Sequence, residues 1–223
     1  MNDDGAIRFS GFPSEALDFY EALEADNTKA FWTEHKSTYE TAVKQPLLAL
    51  CDELAPEFGS AKVFRPYRDV RFSKDKSPYK TAQGAVLGMT DGAGALYLQI
   101  SAAGLMVGAG YHEMASDQVQ HYREAVDDET TGEQLRAVVS GVERMGHAIG
   151  GDQLKTRPRG YPDDHPRLEL LRYRTLTASH SYPPDPWLHT DAAGEVVVTT
   201  WREMAPLNAW LERNVGASHV ERR

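Results

Sequence analysis

Apolar residues recur at helical spacing over residues 14–25, S-E-A-L-D-F-Y-E-A-L-E-A, where Leu17, Tyr20 or Phe19, and Leu23 follow one another. That period predicts an amphipathic helix. Ser14 stands at the N-cap just after Pro13, and D-N-T-K at 26–29 ends the pattern. A second helical stretch starts near Thr28 and carries Phe31, Trp32 and His35. A third covers about 37–54, with Pro46 early enough to kink or restart it. At Val63 the pattern changes. Val63, Phe64, Tyr67, Val70 and Phe72 make 63–72 rich in strand formers, and the polar turn S-K-D-K-S-P follows. A-V-L-G-M at 85–89, A-L-Y-L-Q-I at 95–100 and L-M-V-G-A at 105–109 read as short strands joined by glycine-bearing turns. Such connections suit an antiparallel meander and are too short for parallel crossovers.

Helical spacing returns at 116–127, with Ser116 as cap, and at 133–147, where Leu135, Val138, Val139, Val142 and Met145 would face the core. The stretch 156–166 is a loop stiffened by three prolines, followed by a short helix near 166–173 and a strand at 174–180. A last helix near 204–214 would bury Met204, Leu207, Trp210 or Leu211, and Val215; E-V-V-V-T-T-W at 195–201 fits strand or helix equally. Helices flanking a block of strands indicate α+β. With no repeat and no clear linker, the expectation is one domain over 1–223. Its helical part would cover about 13–56, its strand block 62–110, and its helical and loop part 115–215.

Charge adds a second layer. The chain carries −9, but residues 62–80 hold seven Lys/Arg against two Asp, a net of +5, and 155–174 hold six against three acids, a net of +3. Removing that +8 leaves −17 on the rest. Such an acidic body repels nucleic acid in general, yet it contains two basic islands. In the first, Asp69 lies between Arg68 and Arg71, where bidentate bonding would hold a guanidinium in place and leave other donors for a ligand. Tyr67, Phe72 and Tyr79 would offer a stacking face suited to a nucleobase or an aromatic acid. Candidate ligand-binding residues are Arg68, Arg71, Lys74, Lys76, Tyr79 and Lys80, with Lys155, Arg157 and Arg159 from the second island. Asp69, Asp75, Tyr161 and His165, the last beside Asp163 and Asp164, are the acid–base groups within reach of such a site.

Motifs for other chemistries are missing. His112-Glu113 lacks the second histidine of a zincin helix, G-A-G at 108–110 lacks the third glycine of a dinucleotide loop, and Leu154 replaces the glycine before the P-loop lysine. There is no G-x-S-x-G elbow. Cys51, the only cysteine, excludes an internal disulfide and a four-cysteine zinc site, and its apolar setting marks it as a small core residue. Neither a cofactor nor a metal is expected. No apolar run approaches the roughly 20 residues of a membrane span, and the N-terminus has no secretory pattern, so a soluble cytoplasmic protein is the default.

Four blocks resemble the domain-of-unknown-function family 2461. They are F-S-G-F-P at 9–13 with N-T-K-A-F-W-T-E-H-K at 27–36 and Tyr39; F-R-P-Y-R-D-V-R-F-S-K-D-K-S-P-Y-K at 64–80; Y-L-Q-I-S-A-A-G-L-M-V-G-A-G at 97–110; and L-K-T-R-P-R-G-Y-P-D-D-H-P at 154–166 with L-L-R at 170–172. Phe31-Trp32 departs from the family in the order of its aromatic pair. The resemblance implies one domain and carries no activity, but its two longest blocks coincide with the basic islands. Three readings follow. In the first, a small phosphate- or carboxylate-bearing molecule binds in a cleft made by both islands, with or without catalysis. In the second, the same islands and aromatics bind nucleic acid, which the net charge disfavours. In the third, a scaffold or partner-binding protein uses its arginines in internal ion pairs. Oligomeric state has no signature in the sequence.

Overall fold

The structure, a computed structural model, describes residues 8–71, 74–88 and 94–220. Its helices are α1 (Ser14–Ala25), α2 (Lys29–Thr38), α3 (Gln45–Phe58), α4 (Ser116–Asp127), α5 (Glu129–Arg144), α6 (Leu168–Leu171) and α7 (Ala192–Asn214). Its strands are β1 (Ala61–Val63), β2 (Ala82–Leu87), β3 (Ala95–Ser101), β4 (Gly104–Tyr111), β5 (Ala148–Gly150) and β6 (Leu176–Tyr182). They form one antiparallel sheet in the order β1-β2-β3-β4-β6-β5. Ala61 pairs with Leu87 at one edge and Ala148 with Ser179 at the other. The fold is α+β, and β2 to β4 follow chain order as the short turns require.

Local chemistry explains most boundaries. Thr28 caps α2 by accepting the Phe31 N–H at 3.2 Å. Between α2 and α3 the chain makes a π-helical turn, Tyr39–Lys44, so that Pro46 falls in the first turn of α3, where its missing N–H costs nothing. Of the two outcomes expected at Pro46, a kink or a restart, the structure shows a new α-helix starting at Gln45. Asp128 accepts from the N–H groups of Thr130 and Thr131 and so starts α5 four residues before the pattern suggested. Gly146, at φ +88°, ends it early. Met145 is therefore 55% exposed rather than in the core. Ser14 and Ser116 are first helical residues, not caps; Pro13 and Ala115 take those positions. The ambiguous 195–201 stretch is helical because Val197 and Trp201 extend the buried line of Met204, Leu207 and Leu211.

The chain divides into two compact units, each drawn from three stretches. The first comprises Met1–Leu87, Tyr97–Val107 and Ser181–Thr199. Its core includes Phe19, Tyr20 and Leu23 of α1, Trp32 of α2, and Leu47, Leu50 and Cys51 of α3. Burial pushes the Cys51 thiol up to about 12, so it is unreactive packing. The second comprises Gly88–Leu96, Gly108–His180 and Thr200–Arg223. It packs Tyr122 and Val126 of α4 and Leu135 and Val142 of α5 with Met204, Leu207, Trp210 and Leu211 of α7. Gly110, at φ +127°, is obligatory there: a Cβ would lie 2.4 Å from the Leu176 carbonyl oxygen.

Candidate functional site

The first basic island is not the strand its composition predicts. β1 ends at Val63, and among the described residues of the island beyond it only Tyr67 and Tyr79 make a bridge. Pro66 and Pro78 have no N–H to continue a ladder. Their carbonyls instead accept from Lys80 N at 2.8 Å and Arg68 N at 2.9 Å, which closes an irregular hairpin. Two side-chain amides replace the missing strand contacts. Asn27 accepts the Tyr79 N–H at 3.1 Å and donates to the Tyr79 carbonyl at 3.0 Å. Gln83 donates to the Phe64 carbonyl at 2.6 Å and accepts from the Tyr39 hydroxyl at 2.7 Å. Burial pushes that hydroxyl far above its ordinary range, so it remains a donor.

At the tip, acids and bases of the same loop pair with each other. Asp69 holds Arg71 bidentately, with Nε to Oδ1 at 3.0 Å and Nη2 to Oδ2 at 2.7 Å. Asp75 pairs with Arg68 and takes the Ser77 N–H and hydroxyl at 2.9 and 2.6 Å. Those Ser77 bonds, more than the Arg68 charge, lower the Asp75 carboxyl to about 2. Asp69 is lowered chiefly by its Arg71 hydrogen bonds. Two such carboxylates stay ionised and make weak proton acceptors near neutrality. Lys76 donates to the Val70 carbonyl at 2.9 Å, and Lys74 is exposed. Phe72, expected in the stacking face, and Ser73, the first residue of the expected turn, lie outside the described residues.

The limbs of the hairpin differ from its tip. Tyr79 stacks on Trp32 with ring centres 4.2 Å apart and planes 7° from parallel. Tyr67 leans on both rings at 5.5 and 6.2 Å, yet remains 50% exposed. The Trp32 Nε1 is buried and has no hydrogen-bond partner among the described residues. On the same limbs, the Lys80 ammonium lies 5.3 Å over the Phe64 ring. Burial first, and then the charge of Arg65, pushes Lys80 down. Neither cation forms an ion pair with a described residue. This is an aromatic surface beside two mutually repelling positive charges. Arg65 belongs to the island but was not a predicted ligand residue, because only the Tyr67–Tyr79 bridge brings its limb to Lys80.

The second island belongs to the other unit and is largely framework. Arg167 is buried and donates to the carbonyls of Val126 and Asp127, both at 2.7 Å, and to Glu133 at 2.9 Å. Arg172 holds the Leu154 carbonyl at 2.8 Å. Arg157 pairs with Asp163 at 2.7 Å and donates to the Tyr161 carbonyl at 2.8 Å. Lys155 and Arg159 are exposed and unpaired among the described residues. His165 is oriented by a carboxylate, though by Asp127 at 3.0 Å rather than Asp163 or Asp164. Its Nδ1 accepts the Arg167 N–H at 3.0 Å, so Nε2 carries the proton toward Asp127 and both ring nitrogens are engaged. Burial above all raises the Tyr161 hydroxyl, which keeps its proton. A depression of about 240 Å³ borders this loop, lined by Arg136, His165 and Glu169 among others.

No group of three or more metal-ligating side chains occurs among the described residues, and no described helix is long and apolar enough to cross a membrane. The model of the family described as Conserved hypothetical protein (DUF2461) matches residues 15–210. The chain belongs to that family. No curated protein matches it.

Proposed function

We propose that this member of the DUF2461 family binds a small anion carrying a flat ring, an aryl or heterocyclic phosphate or carboxylate, at the 64–80 hairpin of its first unit. The observation that carries the reading is the pair Arg65 and Lys80, two cations that form no ion pair with a described residue and of which only Arg65 feels a carboxylate, Asp69, at longer range, on the limbs that present Tyr67. A lowered Lys80 means that burial and the Arg65 charge make its own charge costly to hold. An anion between the two would remove that cost, and Tyr67 supplies the ring with a face. The tip pairs Arg68–Asp75 and Arg71–Asp69 stiffen the hairpin and are too exposed to contribute much to stability themselves. With Asp69 and Asp75 held ionised, the site is suited to binding rather than to proton transfer.

The test is a thermal-shift screen of inorganic phosphate, sulfate, nucleotides, sugar phosphates, aryl phosphates and small carboxylic acids. A ligand at 100 times its Kd adds about 2.7 kcal/mol, a rise of roughly 5–11 °C at this chain length. The rise should require both ring and anion, and should vanish in Arg65→Ala and Lys80→Ala variants that melt normally without ligand. No shift from any compound, or equal shifts in both variants, removes the proposal.

A further inference from the structure

We propose that the sheet face beside the 64–80 hairpin is a base-reading surface, and that the ligand of the first unit is a nucleoside monophosphate whose base carries a ring carbonyl. The phosphate half rests on the reading of Arg65 and Lys80 above; the base half rests on Phe64, Tyr97 and Gln99. Phe64 extends the β1 ladder by one residue, its N–H donating to the Gly84 carbonyl at 3.0 Å. Its ring lies under the Lys80 ammonium and 6.2 Å from the Tyr97 ring of β3, with planes 37° apart. Gly84, on the strand between them, makes the approach possible: a Cβ there would fall 2.4 Å from the Tyr97 hydroxyl oxygen. Two rings thus share one floor over a position without a side chain, and the aromatic surface beside Lys80 does not stop at Tyr67.

Strand alternation puts Gln99 on the same face as Tyr97 and turns Leu98 and Ile100, both fully buried, to the other. The Tyr97 hydroxyl donates to the Gln99 Oε1 at 2.7 Å. Burial raises that hydroxyl, so it keeps the proton it donates. The bond orients the amide, and the Gln99 Nε2 has no hydrogen-bond partner among the described residues. An oriented amide donor at the edge of an aromatic floor suits the carbonyl oxygen of a flat heterocycle. A phenyl ring has no atom to accept it. Charge is complementary as well. Lys62 is exposed, alternates with Val63 onto the side of Phe64, and forms no ion pair with a described residue; β1, β2 and β3 contain no acidic residue. Aromatic rings, a polar reader and nearby cations are what stacking and identifying a base require. The net charge of −9 favours one phosphate over a polyanion, which selects a mononucleotide.

The experiment is a chemical-shift titration of the nitrogen-labelled full chain with inosine monophosphate and with phenyl phosphate, in wild type, Gln99→Met and Lys80→Ala. Inosine monophosphate should bind more tightly than phenyl phosphate and shift 97–99, which phenyl phosphate should leave in place. Gln99→Met should weaken inosine monophosphate about two- to tenfold, the worth of one neutral hydrogen bond, and leave phenyl phosphate unchanged. Lys80→Ala should weaken both. Should Gln99→Met fail to fold, Tyr97→Leu removes one stacking ring and should weaken inosine monophosphate on the order of tenfold. If phenyl phosphate binds and inosine monophosphate binds no tighter, or if the Gln99 and Tyr97 variants bind it as wild type does, the base-reading surface is overturned while the anion reading stands. Binding of neither compound overturns both. A single-stranded oligonucleotide bound far more tightly than the mononucleotide would overturn the mononucleotide assignment and give the face to nucleic acid.

Discussion

Replacing Arg167 with alanine should be among the most damaging single changes in the second unit. The guanidinium is 7% exposed and donates three hydrogen bonds, two of them to the Val126 and Asp127 carbonyls at the end of α4. Those carbonyls are orphan acceptors of a helix C-terminus, where positive charge is also favoured. A hydrogen bond involving a charged group contributes about 1.5–3 kcal/mol net. The third bond, to Glu133, is discounted because that carboxylate is half exposed. Two lost charged bonds, with the buried Val126 acceptor left behind, amount to about 3–5 kcal/mol, or roughly 6–20 °C in melting temperature at this size. Gly132 gives the arginine room, since a Cβ there would lie 2.4 Å from the Arg167 Nε. Urea unfolding followed by circular dichroism measures the loss. Arg167→Lys keeps the charge without the fork and should recover less than half. A loss below about 0.5 kcal/mol in the alanine variant, or full recovery by lysine, would refute this account of the second island as framework.

Two further outcomes follow from the hairpin. Tyr39→Phe leaves the buried Gln83 carbonyl oxygen without its 2.7 Å donor and should cost about 1–3 kcal/mol, read by thermal unfolding; an unchanged midpoint would mean the amide is not held as described. Asp75, lowered to about 2 by Ser77 and then Arg68, contributes stability that is present above the ordinary carboxylate range and lost as pH falls toward 2. Its side-chain carboxyl carbon should titrate near 2 by NMR and move toward 3.8 in Ser77→Ala, and a wild-type midpoint at 3.8 would contradict the turn geometry.

How far the chain could be read depended on whether information was local. Helical spacing located α1, α4, most of α5 and the C-terminal half of α7, because a buried stripe repeats within one element. It failed at Met145, where a cap at Asp128 and a glycine at Gly146 moved both ends of α5. The 63–72 stretch has strand composition, but Pro66 and Pro78 remove the donors a strand would use. The replacements, Asn27 and Gln83, lie 52 and 19 residues from the atoms they satisfy, so no short window shows them. Charge bookkeeping found both islands and could not rank them. Ranking requires knowing that Arg167 is buried and bonded to the end of α4 while Arg65 and Lys80 form no ion pair with a described residue. The contacts of His147 with His180 and Glu203 had no signal at all, since the three come from separate parts of the chain and share no spacing. Each compact unit is likewise drawn from three separated stretches, which linker composition does not reveal.

The most direct test of the binding reading is a chemical-shift titration of the nitrogen-labelled chain with phenyl phosphate, the simplest molecule with a ring and an anion, against inorganic phosphate as control. The account predicts saturable shifts confined to 64–68 and 78–84, movement of the Trp32 indole N–H signal, and weaker effects with phosphate alone. Shifts that appear only around His165 and Arg136, or none at millimolar ligand, would contradict it.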